Sequence, residues 1–260
     1  MKQMFIFGLG YSAKRIKAAL EQEGWLVLAT GSDGEIDFAD AAAVRAALAA
    51  SSHVLSSVPP DRDSGLDPVL DTYGREFPPA WYGYLSSTGV YGDAGGAWVD
   101  EASPTGAGRR TARSEADALW LKLGAHVFRL PGIYGPGRSV FDRIRDGKAH
   151  RIDLPGQVFS RVHVEDIASG VVAGIAGPPG AYNLGDDLPA SHNAVTEEAC
   201  RLLGVDPPPL QTMDEAGLSK MARGFYSENR RVANGKAKRV LGWEPKYPTY
   251  REGLRAIFQS

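Results

Sequence analysis

The sequence predicts an α/β fold, a doubly wound parallel sheet with helices on both faces and a small lobe appended toward the C-terminus. Three observations predict it. Short apolar runs alternate with helical patterns through the first half of the chain. A glycine-rich turn lies directly between the first apolar run and the first helical pattern. The composition changes near residue 132, where Gly, Pro and Arg take over. Strand–helix alternation of this length is what a parallel sheet with helical crossovers requires.

The elements follow from periodicity and breaker residues. Met4–Phe7 reads as a strand, and Tyr11–Glu23 as a helix with Ala13, Ile16 and Leu20 on one face. Trp25–Thr30 is a second strand and Glu35–Phe38 a short third one. Ala41–Ala50 is a helix buried through Val44 and Leu48, and His53–Ser57 a strand ended by Pro59-Pro60. Trp81–Ser86 is a strand, Arg110–Leu123 a helix with Ala116, Leu119 and Leu123 inward, and Ala125–Leu130 a strand stopped by Pro131-Gly132. Ile167–Ile175 returns to helix and Ala181–Leu184 to strand. The expected division is a core of 1–132 plus 161–185 and a lobe of 133–160 plus 186–260, with the substrate in the cleft between them.

Bulk properties exclude several functions. The net charge of −2 gives no electrostatic case for nucleic acid or an acidic membrane. Cys200 is the single cysteine, so no intrachain disulfide forms, as expected of a reducing compartment. Five scattered His and one Cys offer no metal-ligand spacing. The apolar run before Gly8 is too short for a signal peptide, and no run approaches the roughly 20 residues of a membrane span. A cytoplasmic protein that binds a small molecule is expected.

Gly8-Leu9-Gly10-Tyr11-Ser12-Ala13 is the G-x-G-x-x-A form of the dinucleotide fingerprint. Gly8 permits the tight turn, Gly10 lets a diphosphate approach the backbone, and Ala13 lets the helix sit close to the sheet. The helix start, at Tyr11 and Ser12, supplies free N–H groups to the phosphates. The Rossmann cofactor implied is NAD or NADP. An acid at the end of the second strand would hold the ribose of NAD, but Thr30-Gly31-Ser32-Asp33 places its acid late. Lys14 and Arg15 stand in the first helical turn and tilt the expectation slightly toward NADP. Asp37 and Phe38 are candidates for the adenine end, and Ser57 and Val58 for backbone lining the cofactor.

Three further segments carry a resemblance. Leu85-Ser86-Ser87-Thr88-Gly89-Val90-Tyr91-Gly92-Asp93 resembles the S-S-x-x-V-Y-G-D signature of the extended short-chain dehydrogenases/reductases, the NAD-dependent epimerase/dehydratase group. Arg129–Gly137 resembles that group's R-x-x-x-[IV]-Y-G-P segment, and Arg161–Ala168 its R-x-x-H-V-x-D-[IV]-A segment, slightly contracted. With the glycine turn the matches span residues 4–185, and the closing stretch from Asn234 fits the group's usual ending. The likeness is to an atypical, YeeZ-like branch.

The resemblance implies a Tyr-x-x-x-Lys pair followed four residues later by Glu. With Glu115 as the Glu, the Lys position falls on Thr111 and the Tyr position on Ala107. Such a tyrosine, with an ordinary pKa of about 10, exchanges a proton with substrate while hydride moves, and losing it costs on the order of 100- to 10,000-fold in rate. Ser87 matches the family's substrate-orienting hydroxyl. Tyr91 and Tyr134, in loops at strand C-termini, are candidate replacement acids. Arg113 and Arg110 share a helical face and could stabilise an oxyanion or bind an anion. The resemblance implies an anionic substrate group at Arg161; His163 alternates with it on one strand, and Asp166 is expected to cap the next helix.

Two functions are compatible with this reading. One is an NAD(P)-dependent oxidoreductase or epimerase-like enzyme acting on a small polar or nucleotide-linked substrate. The other is a non-catalytic NAD(P)-binding sensor. The short segment Asp67–Arg75, carrying Pro68 and Gly74, weakens the usual helix-paired dimer, so monomer and homodimer both remain open.

Overall fold

A computed structural model of the chain describes residues 2–78, 80–108 and 111–260, with Lys220 and Met221 as backbone only. The elements run β1 (Gln3–Phe7), α1 (Tyr11–Gln22), β2 (Leu26–Ala29), α2 (Ala41–Ala50), β3 (His53–Ser56), α3 (Pro68–Tyr73), β4 (Trp81–Ser87), β5 (Trp98–Val99), α4 (Thr111–Lys122) and β6 (His126–Leu130). There follow β7 (Gly132–Tyr134), α5 (Val140–Arg145), β8 (Arg151–Ile152), β9 (Arg161–His163), α6 (Val164–Ile175) and β10 (Gly180–Asn183). The last part holds α7 (His192–Leu203), β11 (Leu210–Gln211), α8 (Lys220–Phe225), β12 (Arg231–Val232), α9 (Gly235–Leu241) and α10 (Tyr250–Gln259).

Six of these strands form one parallel sheet in the order β2-β1-β3-β4-β6-β10. The chain winds outward to β2, returns, and continues on the other side from β3. The switch point therefore lies between β1 and β3, where open α/β sheets bind ligands beyond the strand C-termini. Alternation along β1 divides the core. Met4 and Ile6 join α1 and α6 on one face, through Ala13, Ile16, Leu20, Ile167 and Val171. Phe5 and Phe7 join α2, α3 and α4 on the other, through Val44, Leu48, Val69 and Trp120. Both faces are covered, which is why these strands are continuously apolar.

Caps set the helix starts. Asp40 accepts from the Ala43 amide at α2, and Ser191 from the Ala194 amide at α7. Thr249 and Glu252 form a reciprocal capping box at α10. A separate apolar cluster, Val140, Phe141, Val195, Ala199, Tyr250 and Leu254, is built from α5, α7 and α10.

Four local expectations are corrected. Residues 35–38 form no strand; a single bridge, Thr30 to Ile36, is all that pairs there, because Glu35 spends its carboxylate on the Ala29 amide and Lys17. Leu119 and Leu123 are exposed, and α4 instead buries Ser114, Ala116, Asp117 and Trp120. The periodicity misled because a charged residue, Asp117, takes the inward position. Asp166 is not the α6 cap: His163 is, through the Glu165 amide. Asp166 lies one turn in and receives the Lys246 and Tyr247 amides at 2.6 and 3.2 Å, tying the C-terminal segment to α6.

That Asp117 completes a buried network. Arg129 on β6 makes a bidentate contact with it, 2.7 and 3.0 Å, and donates to the Tyr91 hydroxyl at 3.0 Å. Ser86 donates to the same carboxylate at 2.6 Å, and Tyr91 donates to Asn183 at 2.8 Å. Both members of the ion pair are almost wholly buried, so removing one strands the other's charge. Arg129→Met should lower unfolding free energy by about 3–5 kcal/mol in urea titration. Pairing it with Asp117→Leu should recover part of that loss, whereas additive losses would show that the two groups do not act as a pair.

Candidate functional site

The turn after β1 is braced from two neighbouring strands. Gly8 has φ +84, its amide donates to the Thr30 hydroxyl at 3.0 Å, and its carbonyl accepts from the Ser57 hydroxyl. A side chain at Gly8 would start 2.9 Å from a Val58 methyl. Leu9 adds a backbone bond to Thr30 at 2.7 Å. Gly10 then caps α1 with no side-chain bond to the helix, and a Cβ there would meet nothing within 4 Å. The first-turn N–H groups of α1 thus open onto a cleft lined by Gly10, Tyr11, Ser12 and Ala13. Helix N-termini left open in this way suit a phosphate. Ser57 and Val58 therefore shape the turn from behind, with Ser57 also reaching the cleft wall. Thr30 was missed in the sequence; its only signal is a hydroxyl at the end of β2.

The charges beside the glycine turn are internally matched. Lys14 pairs with Asp33, Lys17 with Glu35, and Arg15 approaches Glu165 at 3.5 Å. Asp33, late in sequence, is thus folded back onto the first turn of α1. Asp37 and Phe38 are not among the residues lining the cleft: Asp37 accepts from the Ala39 amide, and the half-buried Phe38 ring lies edge-on to Tyr73 at 5.3 Å, against the second core face. Phe38 is aromatic for packing.

The cleft, about 1040 Å³, runs from the α1 N-terminus past Ser86, Ser87 and Arg113 to Arg143, His150, Arg161, His192, Tyr226 and Arg230. A smaller cavity of about 390 Å³ adjoins it beside Tyr134 and Arg161. Ser87 Oγ accepts from the Gly89 amide at 3.1 Å, which leaves its O–H to donate into the cleft. Arg113 lines the same stretch, whereas Arg110 lies outside the described residues. Thr111 opens α4, and Ala107 sits in the exposed loop before it.

The two tyrosines proposed as replacement acids are placed otherwise. Tyr91 is buried in the Arg129 network, its hydroxyl fully engaged by Arg129 and Asn183. Tyr134 lines the cleft with its ring, but its hydroxyl lies against Gly253, buried and without a hydrogen-bond partner. Burial pushes its pKa up, so it stays protonated. His163 is wedged between Tyr134 and Tyr247, at 5.2 and 4.2 Å, and burial pushes its pKa down to about 4, a neutral packing ring. Arg161 reaches the cleft, with Nη1 held by the Phe159 and Ala190 carbonyls at 2.8 Å.

Sequence reasoning missed the lobe side altogether. Tyr226 and His150 share a hydrogen bond of 3.2 Å, Oη to Nε2, and the His150 ring lies 5.1 Å from that of His192. These residues come from three short segments with no shared motif, and only folding brings them together.

Two outcomes follow. Gly10→Ala should keep the melting temperature, since the added methyl meets open space, yet weaken dinucleotide binding at least about tenfold by crowding the phosphate approach; equal affinity in calorimetry would contradict the phosphate placement. Asp186, buried behind Arg161, has its pKa pushed up to about 8 by burial. Between its unfolded value near 4 and that value the native state holds a proton that the unfolded chain lacks, so stability falls as pH rises. Asp186→Asn should flatten this decline in thermal scans from pH 5 to 9; parallel curves would refute it.

No family model matches the chain. A conserved protein of unknown function from Silicibacter pomeroyi is 42% identical, with a TM-score of 0.86 over 99% of this chain and 98% of its own. YeeZ from Escherichia coli is 28% identical over 95% of this chain and 97% of its own. A Streptomyces 3-diazoavenalumate denitrifying reductase is 30% identical over 60% of this chain, and the match takes in only 55% of that enzyme. The same fold occurs in human epimerase family protein SDR39U1 with NADPH (TM-score 0.75, 15% identity, 99% of each chain) and in dTDP-glucose 4,6-dehydratase from Bacillus anthracis with NAD (TM-score 0.77, 17% identity, 100% and 96%). The chain therefore belongs to one family with the Silicibacter pomeroyi protein, is similar to YeeZ over nearly its whole length, and shares its fold with the epimerases and dehydratases named above.

Proposed function

We propose that the protein is an NAD(P)-dependent oxidoreductase of the epimerase/dehydratase type that acts on a small anionic substrate. One observation carries this reading: a single cleft joins the open α1 N-terminus to Ser87 and then to a lobe wall of arginines. Residues 1–132 with 161–185 would bind the dinucleotide, and 133–160 with 186–260 would close over the substrate. The separate apolar cluster of α5, α7 and α10 supports that division. Of the two dinucleotides we assign NADP(H), because Lys14 neutralises Asp33, the acid at the end of β2 that would otherwise repel a 2′-phosphate.

The cofactor, when bound, supplies or accepts the hydride. The chain's residues must orient the substrate oxygen and handle its proton. Ser87 would donate to that oxygen, and Arg113 would stabilise the negative charge that develops on it. Among the described residues the phenols lining the cleft are Tyr11, Tyr134 and Tyr226. Tyr11 donates to the Pro136 carbonyl at 3.0 Å, and Tyr134 points at Gly253. Tyr226 alone shares its proton with a titratable base, His150. Burial pushes the Tyr226 pKa up while Arg143 and Arg161 pull it down; it is protonated at neutral pH and fit to donate. In the reductive direction its proton passes to the substrate oxygen and is replaced through His150 from solvent.

Tyr226→Phe should lower kcat by about 100-fold or more with NADPH affinity unchanged in fluorescence titration. Full activity in that variant would remove Tyr226 from the chemistry. NADPH should bind more tightly than NADH, and Lys14→Glu should reverse the order.

A further inference from the structure

At the lobe end of the cleft two guanidiniums, those of Arg143 and Arg161, form no ion pair with a carboxylate among the described residues, whereas Arg230 there pairs with Glu228. Among the described residues, the Arg143 guanidinium bonds only to the Lys148 carbonyl, at 3.2 Å, and that of Arg161 only to the carbonyls of Phe159, Ala190 and Ser191. Both arginines line the cleft and the smaller cavity alike. Both also bear on His192, whose Nε2 is buried without a partner. Burial first, and then the fields of Arg161, His150 and Arg143, push the His192 pKa down to about 3, so this ring is neutral and adds no further positive charge. Asp186, the carboxyl facing Arg161, has its Oδ2 buried without a hydrogen-bond partner, and burial pushes its pKa up against the pull of Arg161. Arg161 is withdrawn from solvent without a salt-bridge partner, which is costly, while Arg143 is exposed at the mouth; an incoming anion would relieve the first and engage the second through charge-assisted bonds.

The adjoining cavity has a different character. Its walls are Ile133, Val140, Val195, Tyr250 and Leu254. The polar groups at its rim, Ser139 and Asp142, are spent on each other: Asp142 accepts from the Ser139 amide and hydroxyl at 2.9 and 3.1 Å. Apart from the arginines and His192 the lining is apolar, so the several hydroxyls of a sugar would lose more water than they gain in partners. At about 390 Å³ the cavity is near the small end of ligand sites, which span roughly 300–1,000 Å³.

We propose that the substrate is a compact carboxylate with an apolar body, its head held by Arg143 and Arg161 and its body seated in the cavity between Val140, Val195 and Leu254. This rests on the cleft being the substrate site of the proposed oxidoreductase and narrows the substrate away from nucleotide sugars. The reacting carbon would lie toward Ser87, so head and body fix the substrate from the side opposite the cofactor turn. Binding energy from such a remote anchor positions the reacting centre.

Calorimetry on the full-length protein tests this, with 3-phenylpropanoate, its neutral amide and UDP-glucose as probes, each with and without NADPH. The acid should bind, and the amide at least about tenfold more weakly, as loss of a charge-assisted pair implies. Val195→Phe, which fills the cavity, and Arg143→Gln, which removes one guanidinium, should each weaken the acid at least tenfold and leave NADPH titration unchanged. Arg143 makes one backbone bond, so its variant folds even where the core substitution does not. The proposal is overturned if the acid does not bind at millimolar concentration, if amide and acid bind alike, if UDP-glucose binds more tightly, or if Arg143→Gln has no effect. A protein that binds the acid but not NADPH would overturn the dinucleotide reading and leave this one standing.

Discussion

One guanidinium holds the floor of this protein together. Arg129, on β6, ties α4 to the sheet through Asp117, β4 through the shared contact of Ser86, and β10 through Tyr91 and Asn183. Ser87 is the next residue after Ser86, and the turn carrying it runs on to Tyr91. The cleft hydroxyl is therefore placed by a charge that never meets solvent. An apolar core could hold the same strands, but it would not dictate the rotation of β4's end, since dispersion contacts lack the directionality of a bidentate pair.

The cleft inherits two opposed designs. At the sheet end, charge is cancelled locally: Lys14 meets Asp33, Lys17 meets Glu35, and the open end of α1 offers backbone N–H groups rather than side chains. At the lobe end, the guanidiniums of Arg143 and Arg161 bond only to backbone carbonyls among the described residues. A ligand bridging both ends would find its phosphates met by dipoles and its far anion by guanidiniums. The lobe also provides a phenol, which α4 lacks. Where the family motif would set a tyrosine and a lysine, this chain has the loop residue Ala107 and the helix-opening Thr111, and the phenol in hydrogen bond with a base is Tyr226, beyond α8.

The sequence by itself determined the six strands of the sheet, the inward faces of α1 and α2 and the glycine turn. These depend on local rules: a period of two or 3.6, a glycine that must take positive φ, a cap beside the first turn. Gly8, Gly10, Ala13, Ile16 and Leu20 each stand where local chemistry requires them. Residues whose roles depend on a distant partner were misjudged. Leu119 and Leu123 looked inward because Asp117 was not expected to be buried, and it is buried only because Arg129, 12 residues on, meets it. Tyr91 and Tyr134 lie where ligand-binding loops should be, yet one hydroxyl belongs to Arg129 and the other to the space beside Gly253. Only the tertiary structure could decide which side chains share the lobe wall, because Arg143, His150, Arg161, His192 and Tyr226 meet through contacts between elements, and no pattern along a single element encodes those.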